Sequence, residues 1–198
     1  MTYRDELLAV ADATEAQAVA LYGGFLGGAF GVGASGITYT AGEFVAFLAS
    51  LIAQANSTVY ALADLSVSAS IMLATAEPVP VLGLTPPVED LPRLTKAAET
   101  VLEVADESPV PDKIIRRLAR SEPLETAARA ISEAMDRQPA VTGWVRDISG
   151  GACQLCQWWA RDGRVWPADH PMPTHKGCSC TPKPVVVERI QPVSKRRR

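Results

Sequence analysis

The chain has 198 residues and a formal net charge of −3 at pH 7, long enough for one large or two small domains with a well-buried core. Four cysteines in a chain of this length, opening MTYRDE without a basic start or an early apolar run, argue against a short secreted disulfide scaffold. The small net charge conceals an asymmetry: residues 1–140 hold 9 Lys/Arg against 18 Asp/Glu (−9), residues 141–198 hold 10 against 4 (+6), and the two sum to −3.

Residues 3–26 read as a helix, with Leu7, Val10, Ala11, Ala18, Leu21 and Tyr22 at helical spacing and Thr14 the one polar member of that stripe. Residues 16–42 carry no charge and contain Gly23, Gly24, Gly27, Gly28, Gly31, Gly33 and Gly36. Pairs such as Gly23 and Gly27 invite a membrane reading. A span needs about 20 apolar residues, which this stretch barely supplies. Each glycine costs a water-soluble helix about 1 kcal/mol relative to alanine, and no Lys/Arg cluster marks a flank. A glycine-rich connection or a close-packed helix contact is the expectation, not a membrane.

Thr40 and Glu43 have the spacing of a capping box. The helix they open continues through Phe44, Leu48, Ile52, Val59 and Leu65 toward Met72, with Glu43 and Asp64 its only charges. Such a helix must be buried, in its own bundle or against another subunit. Residues 77–92 carry five prolines and are expected to be an extended linker. A short amphipathic helix over 91–104 follows, then a second break at Pro109 and Pro111. Beyond it a helix with Ile114, Ile115 and Leu118 is expected. A separate helix is expected with Ser121 as N-cap and with Glu122 and Glu125 in its first turn. Arg116, Arg117 and Arg120 read as a solvated face before a basic patch.

From Val141 the period becomes two, with Val141, Gly143 and Val145 alternating with Thr142, Trp144 and Arg146 in a strand. Asp162-Gly163, between Trp158-Trp159 and Val165-Trp166, predicts a two-residue hairpin turn. Residues 184–190 read as a closing strand, and Lys195, Arg196, Arg197 and Arg198 form a basic tail. The expected fold is mainly α with a small α+β zinc-binding C-terminal module, preceded by an apolar helical hairpin or bundle. Its expected parts are a helical region (1–76), the proline-rich linker (77–92), a second domain (93–190, helices 93–138 and module 141–190) and the tail (191–198).

All four cysteines, both histidines and all four tryptophans fall within residues 143–182. Cys153 and Cys156 have the C-x-x-C spacing that turns two thiolates to one side, as tetrahedral zinc requires. His175 stands three residues ahead of Cys178, and Cys178 and Cys180 lie i, i+2, on one side of an extended segment. Five candidates meet four positions: Cys153, Cys156 and His175 with either Cys178 or Cys180 are the favoured structural zinc set, and which of His175, Cys178 and Cys180 is surplus stays open at this point. Disulfides or a redox pair are the competing readings, and neither accounts for His175.

These residues also carry a family resemblance. CQLC at 153–156, DGRVW at 162–166 and PTHKGCSC at 173–180 resemble the C-terminal end of the phage Mu F-like (MuF-like) minor head proteins, which show C-x-x-C, a D-G-x-V hairpin and a P-x-H-x-x-C-x-C close. Ala119-Arg120-Ser121-Glu122 and Gly143-Trp144-Val145 are similar to that family's helix start and tryptophan strand. The resemblance covers residues 113–187, under half of the chain, and makes 93–190 a MuF-like domain. It implies a minor capsid (head morphogenesis) protein in multiple copies. Such a protein sits inside the virion near the portal, is cytoplasmic in the host during assembly, and helps head assembly or DNA packaging. Implied partners are the portal protein, other capsid components and packaged DNA, the last through Lys195, Arg196, Arg197 and Arg198. A zinc-containing nucleic-acid-binding protein is the alternative. A capsid maturation protease using Asp169-His170 lacks a nucleophile motif, so no enzyme is expected.

Overall fold

The apolar run that must be buried becomes the axis of the molecule. Helix α2 spans Ala41–Thr75, about 50 Å at 1.5 Å per residue. Its start is the expected capping box: Glu43 N donates to Thr40 Oγ1 (3.2 Å) and Thr40 N donates to Glu43 Oε2 (2.8 Å). The computed structural model, in which residues 2–30 and 39–187 are described, packs three further long helices on this axis. These are α1 (Tyr3–Phe30), α3 (Asp90–Asp106) and α4 (Pro111–Arg137). Leu7 and Ala11 cluster with Val59, whereas Ala18 and Tyr22 meet Phe44 and Leu48, so α1 runs antiparallel to α2. Ile115 and Ala119 of α4 join the Tyr22 end, and Leu124 and Ala127 join the Leu7 end. The apolar N-terminal helices and the later ones therefore share a core.

The one charge of α2 beyond its first turn has a structural use. Asp64, 3% exposed, accepts the backbone N–H groups of Leu82 (2.9 Å), Gly83 (2.7 Å) and Leu84 (3.2 Å). Prolines remove donors from residues 77–92, and Asp64 collects three of those that remain, so the extended stretch folds back along α2 and does not hang free. By length and composition α2 could also cross a membrane, yet 44% of its most apolar stretch is buried inside the bundle. Of the glycine-rich segment, Gly23 and Gly24 lie in α1. Gly24 is a close contact: a Cβ there would stand 3.0 Å from the Tyr39 ring. Gly31, Gly33 and Gly36 lie outside the described residues.

Two expectations for α4 are corrected. It is one helix through Ser121 and Pro123, not two. An interior proline costs about 3 kcal/mol or more, and burial of Ile115 and Ala119 before it and Leu124, Ala127 and Ile131 after it holds both halves on one line. Glu122 is not a first-turn acid at a helix start. It is buried and accepts from Arg93 Nη2 (2.7 Å), which also donates to Asp90 (2.8 Å). Asp90 in turn accepts from Asn56 (2.9 Å), linking α2, α3 and α4 through one polar network. Arg116 and Arg120 face the acids of α1, Glu15 with Asp12, and are charge-matched there.

After α4 the chain makes a three-stranded antiparallel sheet. β1 (Val141–Asp147) is central, between β2 (Trp166–Pro167) and β3 (Thr181–Val186). Gly143 sits so close to β2 that a Cβ would overlap the Trp166 carbonyl oxygen. A register shift between Val141 and Gly143 buries Val141 along with Trp144. Trp144 is fully buried among Tyr60, Ala63, Val67 and Met135, so the sheet shares its core with the bundle. The expected hairpin is absent. Trp158 and Trp159 lie in a short helix, α5 (Gln154–Ala160), and Asp162-Gly163 ends a one-turn 3-10 segment. Asp162 (φ 52°) and Gly163 (φ 83°) do take the left-handed backbone such a turn needs, but only Trp166 finds a partner strand. The closing strand starts earlier than expected, at Thr181, and residues 188–190 and the tail lie outside the described residues.

Candidate metal centre

Three short pieces of backbone bring the sulfurs together. Cys153 precedes the first turn of α5 and Cys156 lies within that turn, so the helix rotates Cys156 inward while Cys153 stays exposed. A tight turn holds the next pair: Cys178 N donates to the His175 carbonyl (3.0 Å), with Gly177 at φ 74°. That left-handed φ favours glycine. Cys180 then leads directly into β3, and Cys178 and Cys180 are both buried.

His175 Nε2 lies 3.3 Å from Cys153 Sγ and 3.2 Å from Cys156 Sγ, and Cys156 Sγ lies 3.5 Å from Cys178 Sγ. Around tetrahedral zinc, with bonds of about 2.3 Å to sulfur and 2.0–2.1 Å to nitrogen, such ligand atoms stand about 3.6–3.8 Å apart. The donors form two overlapping groups, Cys153–Cys156–His175 and Cys156–Cys178–Cys180, that share Cys156. All five predicted residues are thus brought together, all four thiols are free, and the set could hold a metal ion. Soft thiolates with one imidazole are the donors zinc takes. Which four would bind is not decided by proximity alone.

The surroundings favour thiolates unevenly. Hydrogen bonding from the Cys156 backbone amide holds the Cys153 thiol below its ordinary range, helped by the Cys156 side chain, the Leu155 amide and His175. Burial pushes the Cys156 thiol strongly up, and the neighbouring Cys178 and Cys180 add to it. At Cys180 burial works the same way but is outweighed, chiefly by the Ser149 backbone amide, and the thiol moves down. A positive ion among them would reverse the penalty at Cys156. His175 Nδ1 faces the Lys176 carbonyl at 3.1 Å. A carbonyl can only accept, so this contact puts the ring proton on Nδ1 and leaves the Nε2 lone pair toward the sulfurs.

Sequence reasoning missed the cluster's one buried cation. Arg146, 5% exposed, points Nη1 at Cys156 Sγ (3.9 Å) and Cys178 Sγ (4.0 Å), donates Nη2 to the Pro173 carbonyl, and lies 5.1 Å over the Trp159 ring. The available signal was its place on the same strand face as Trp144, where a charge implies a buried partner. Of the four tryptophans, Trp159 is the one over the site, 6.3 Å from the His175 ring. Trp158 is 63% exposed. Trp144 and Trp166 stack with His170 instead, and the His170 carbonyl accepts from Trp144 Nε1 (2.7 Å). His170 is thus a packed core-edge residue beside Asp169.

The centre is moored to the helices at two points. Lys176 pairs with Glu125 of α4 (2.9 Å), and Arg4 of α1 pairs with Asp147 at the end of β1 (2.6 Å). No family model matches the chain, and no curated protein or solved structure matches it.

Proposed function

We propose that this chain is a structural, non-enzymatic virion component: a minor head protein of the MuF-like kind, whose C-terminal module is fixed by one structural zinc ion. The observation that carries this reading is the convergence of the C-x-x-C pair with His175 and Cys178-x-Cys180, the same residues on which the family resemblance rests. A closed set of four protein ligands leaves no open position for water, as a structural zinc requires and a catalytic one does not. Cys153, Cys156 and His175, with Cys178 or Cys180, hold the ion. The ion neutralises thiolates that would otherwise repel one another and cross-links α5 to the loop that leads into β3. The apolar α2 axis gives a rigid body suited to assembly near a portal, in several copies, with other capsid components around it. Lys195, Arg196, Arg197 and Arg198 would supply the phosphate contacts to packaged DNA in this reading.

Co-expression with the portal protein of the same phage and co-purification from assembled heads tests the role. Retention with the portal, at a fixed copy number inside DNA-filled heads, supports it. A chain absent from heads that instead binds free DNA with a steep salt dependence supports the zinc-containing nucleic-acid-binding alternative and overturns the virion role.

A further inference from the structure

We propose that Arg146 is the positioning residue of the metal centre: acting through Cys156 and Cys178, it makes Cys178 the fourth ligand beside Cys153, Cys156 and His175, and Cys180 the surplus thiol. This inference rests on the zinc reading above. A guanidinium does not deprotonate, and one that is buried needs an anion close by. Arg146 is buried, and what its Nη1 faces is sulfur, Cys156 and Cys178, while its Nη2 meets only the neutral Pro173 carbonyl. Its Nε is buried without any partner. The cation is therefore matched by the sulfurs or by nothing.

The charge count selects the ligand set. Zinc with three thiolates and one imidazole carries a net −1, which one guanidinium balances. Four thiolates would leave −2 and an unmatched buried charge, so His175 belongs in the set. The choice between the last two cysteines follows from position. Cys178 Sγ lies within reach of Arg146 and 3.5 Å from Cys156 Sγ, and its backbone N–H donates to the His175 carbonyl in the same turn. Cys180 Sγ instead faces the Ser149 hydroxyl at 3.9 Å. Trp159 covers both Arg146 and His175, fixing the two groups relative to one another.

The test uses the full chain, with zinc affinity measured by competition against a chelating dye and with Co2+ substituted as a spectroscopic probe. Cys180→Ser keeps one zinc per chain and the wild-type cobalt spectrum. Cys178→Ser loses about a third of the thiolate-to-cobalt charge-transfer intensity. Arg146→Met weakens zinc binding about 10–100-fold and shifts that band, and Arg146→Lys, which keeps the charge, recovers most of the affinity. Circular dichroism at saturating zinc reports whether each variant is folded. If Arg146→Met does not fold, the two cysteine variants and Arg146→Lys carry the test, and a Lys variant as weak as an unfolded one counts against the proposal. Loss of intensity in Cys180→Ser but not in Cys178→Ser overturns it, as does wild-type affinity and spectrum in folded Arg146→Met. A wild-type chain without stoichiometric zinc overturns the zinc reading itself, whereas a zinc-bound wild type with an indifferent Arg146 overturns this inference alone.

Discussion

The helical bundle and the cysteine module are held together in opposite ways. Around α2, fully buried side chains such as Phe44, Leu48, Ile52 and Leu94 form a continuous core, over which the stabilisation is shared. The sulfur cluster is a separate patch, Cys156, Cys178 and Cys180 with Ala152 and Trp159 at its edge. With so little apolar area there, the zinc ion proposed above is expected to supply much of the order of α5 and of the loop before β3. The difference teaches where each part should fail: the bundle by degrees, the module all at once. Trp144 joins the two, because β1 presents Trp144 to the helices and Arg146 to the sulfurs from one strand face.

The largest contrast is expected on removing the metal or one of its holders. Structural zinc contributes apparent binding free energies of about 10–16 kcal/mol to small modules. Cys156→Ser, or a chelator, is predicted to abolish the near-ultraviolet dichroism of Trp159 while far-ultraviolet helicity persists. Equal loss of both signals would mean that the bundle depends on the module. A core truncation should do the reverse. Ile52→Ala is expected to cost about 2–5 kcal/mol in urea unfolding, with zinc content unchanged.

Smaller effects probe the polar anchors of the bundle. Asp64→Ala leaves three amides of residues 82–84 without their acceptor, at a cost of about 1–3 kcal/mol. Hydrogen exchange in that stretch should accelerate before exchange in α3 does. The smallest change is expected at the α2 cap, where Thr40→Ala costs about 1 kcal/mol. Hydrogen bonds from the Thr40 backbone and then its side chain hold the Glu43 carboxyl below the usual range. A depressed carboxylate stabilises fully above its unfolded pKa and loses that contribution as pH falls through its folded value. The wild type should therefore show an acid-dependent loss that Thr40→Ala reduces only by the hydroxyl's share, since its backbone amide remains, and that Glu43→Gln removes, read from thermal midpoints across the acid range.

How much of this was legible in the sequence follows the reach of each interaction. The Thr40–Glu43 cap and the metal-donor spacings involve neighbours within a few residues, and all were readable in advance. The continuity of α4 was not, because Ser121, Glu122 and Pro123 are locally a good helix start. Only Arg93, 29 residues away, and the apolar neighbours on either side make them a helix interior. Asp162-Gly163 adopted the backbone its dipeptide favours, yet the turn leads from α5 into β2, which pairs with β1 and not with the residues before the turn. Arg146 was hidden for the same reason: its sulfur partners are 10 and 32 residues distant. Asp64 stood out as a lone charge in an apolar helix, and its three amide partners explain why it is tolerated.

Native mass spectrometry of the purified full chain, before and after mild acid, reads the metal content directly. One zinc ion per chain, released together with the folded signal of Trp159, is the predicted result. A metal-free native chain whose C-terminal module is nonetheless ordered would contradict it.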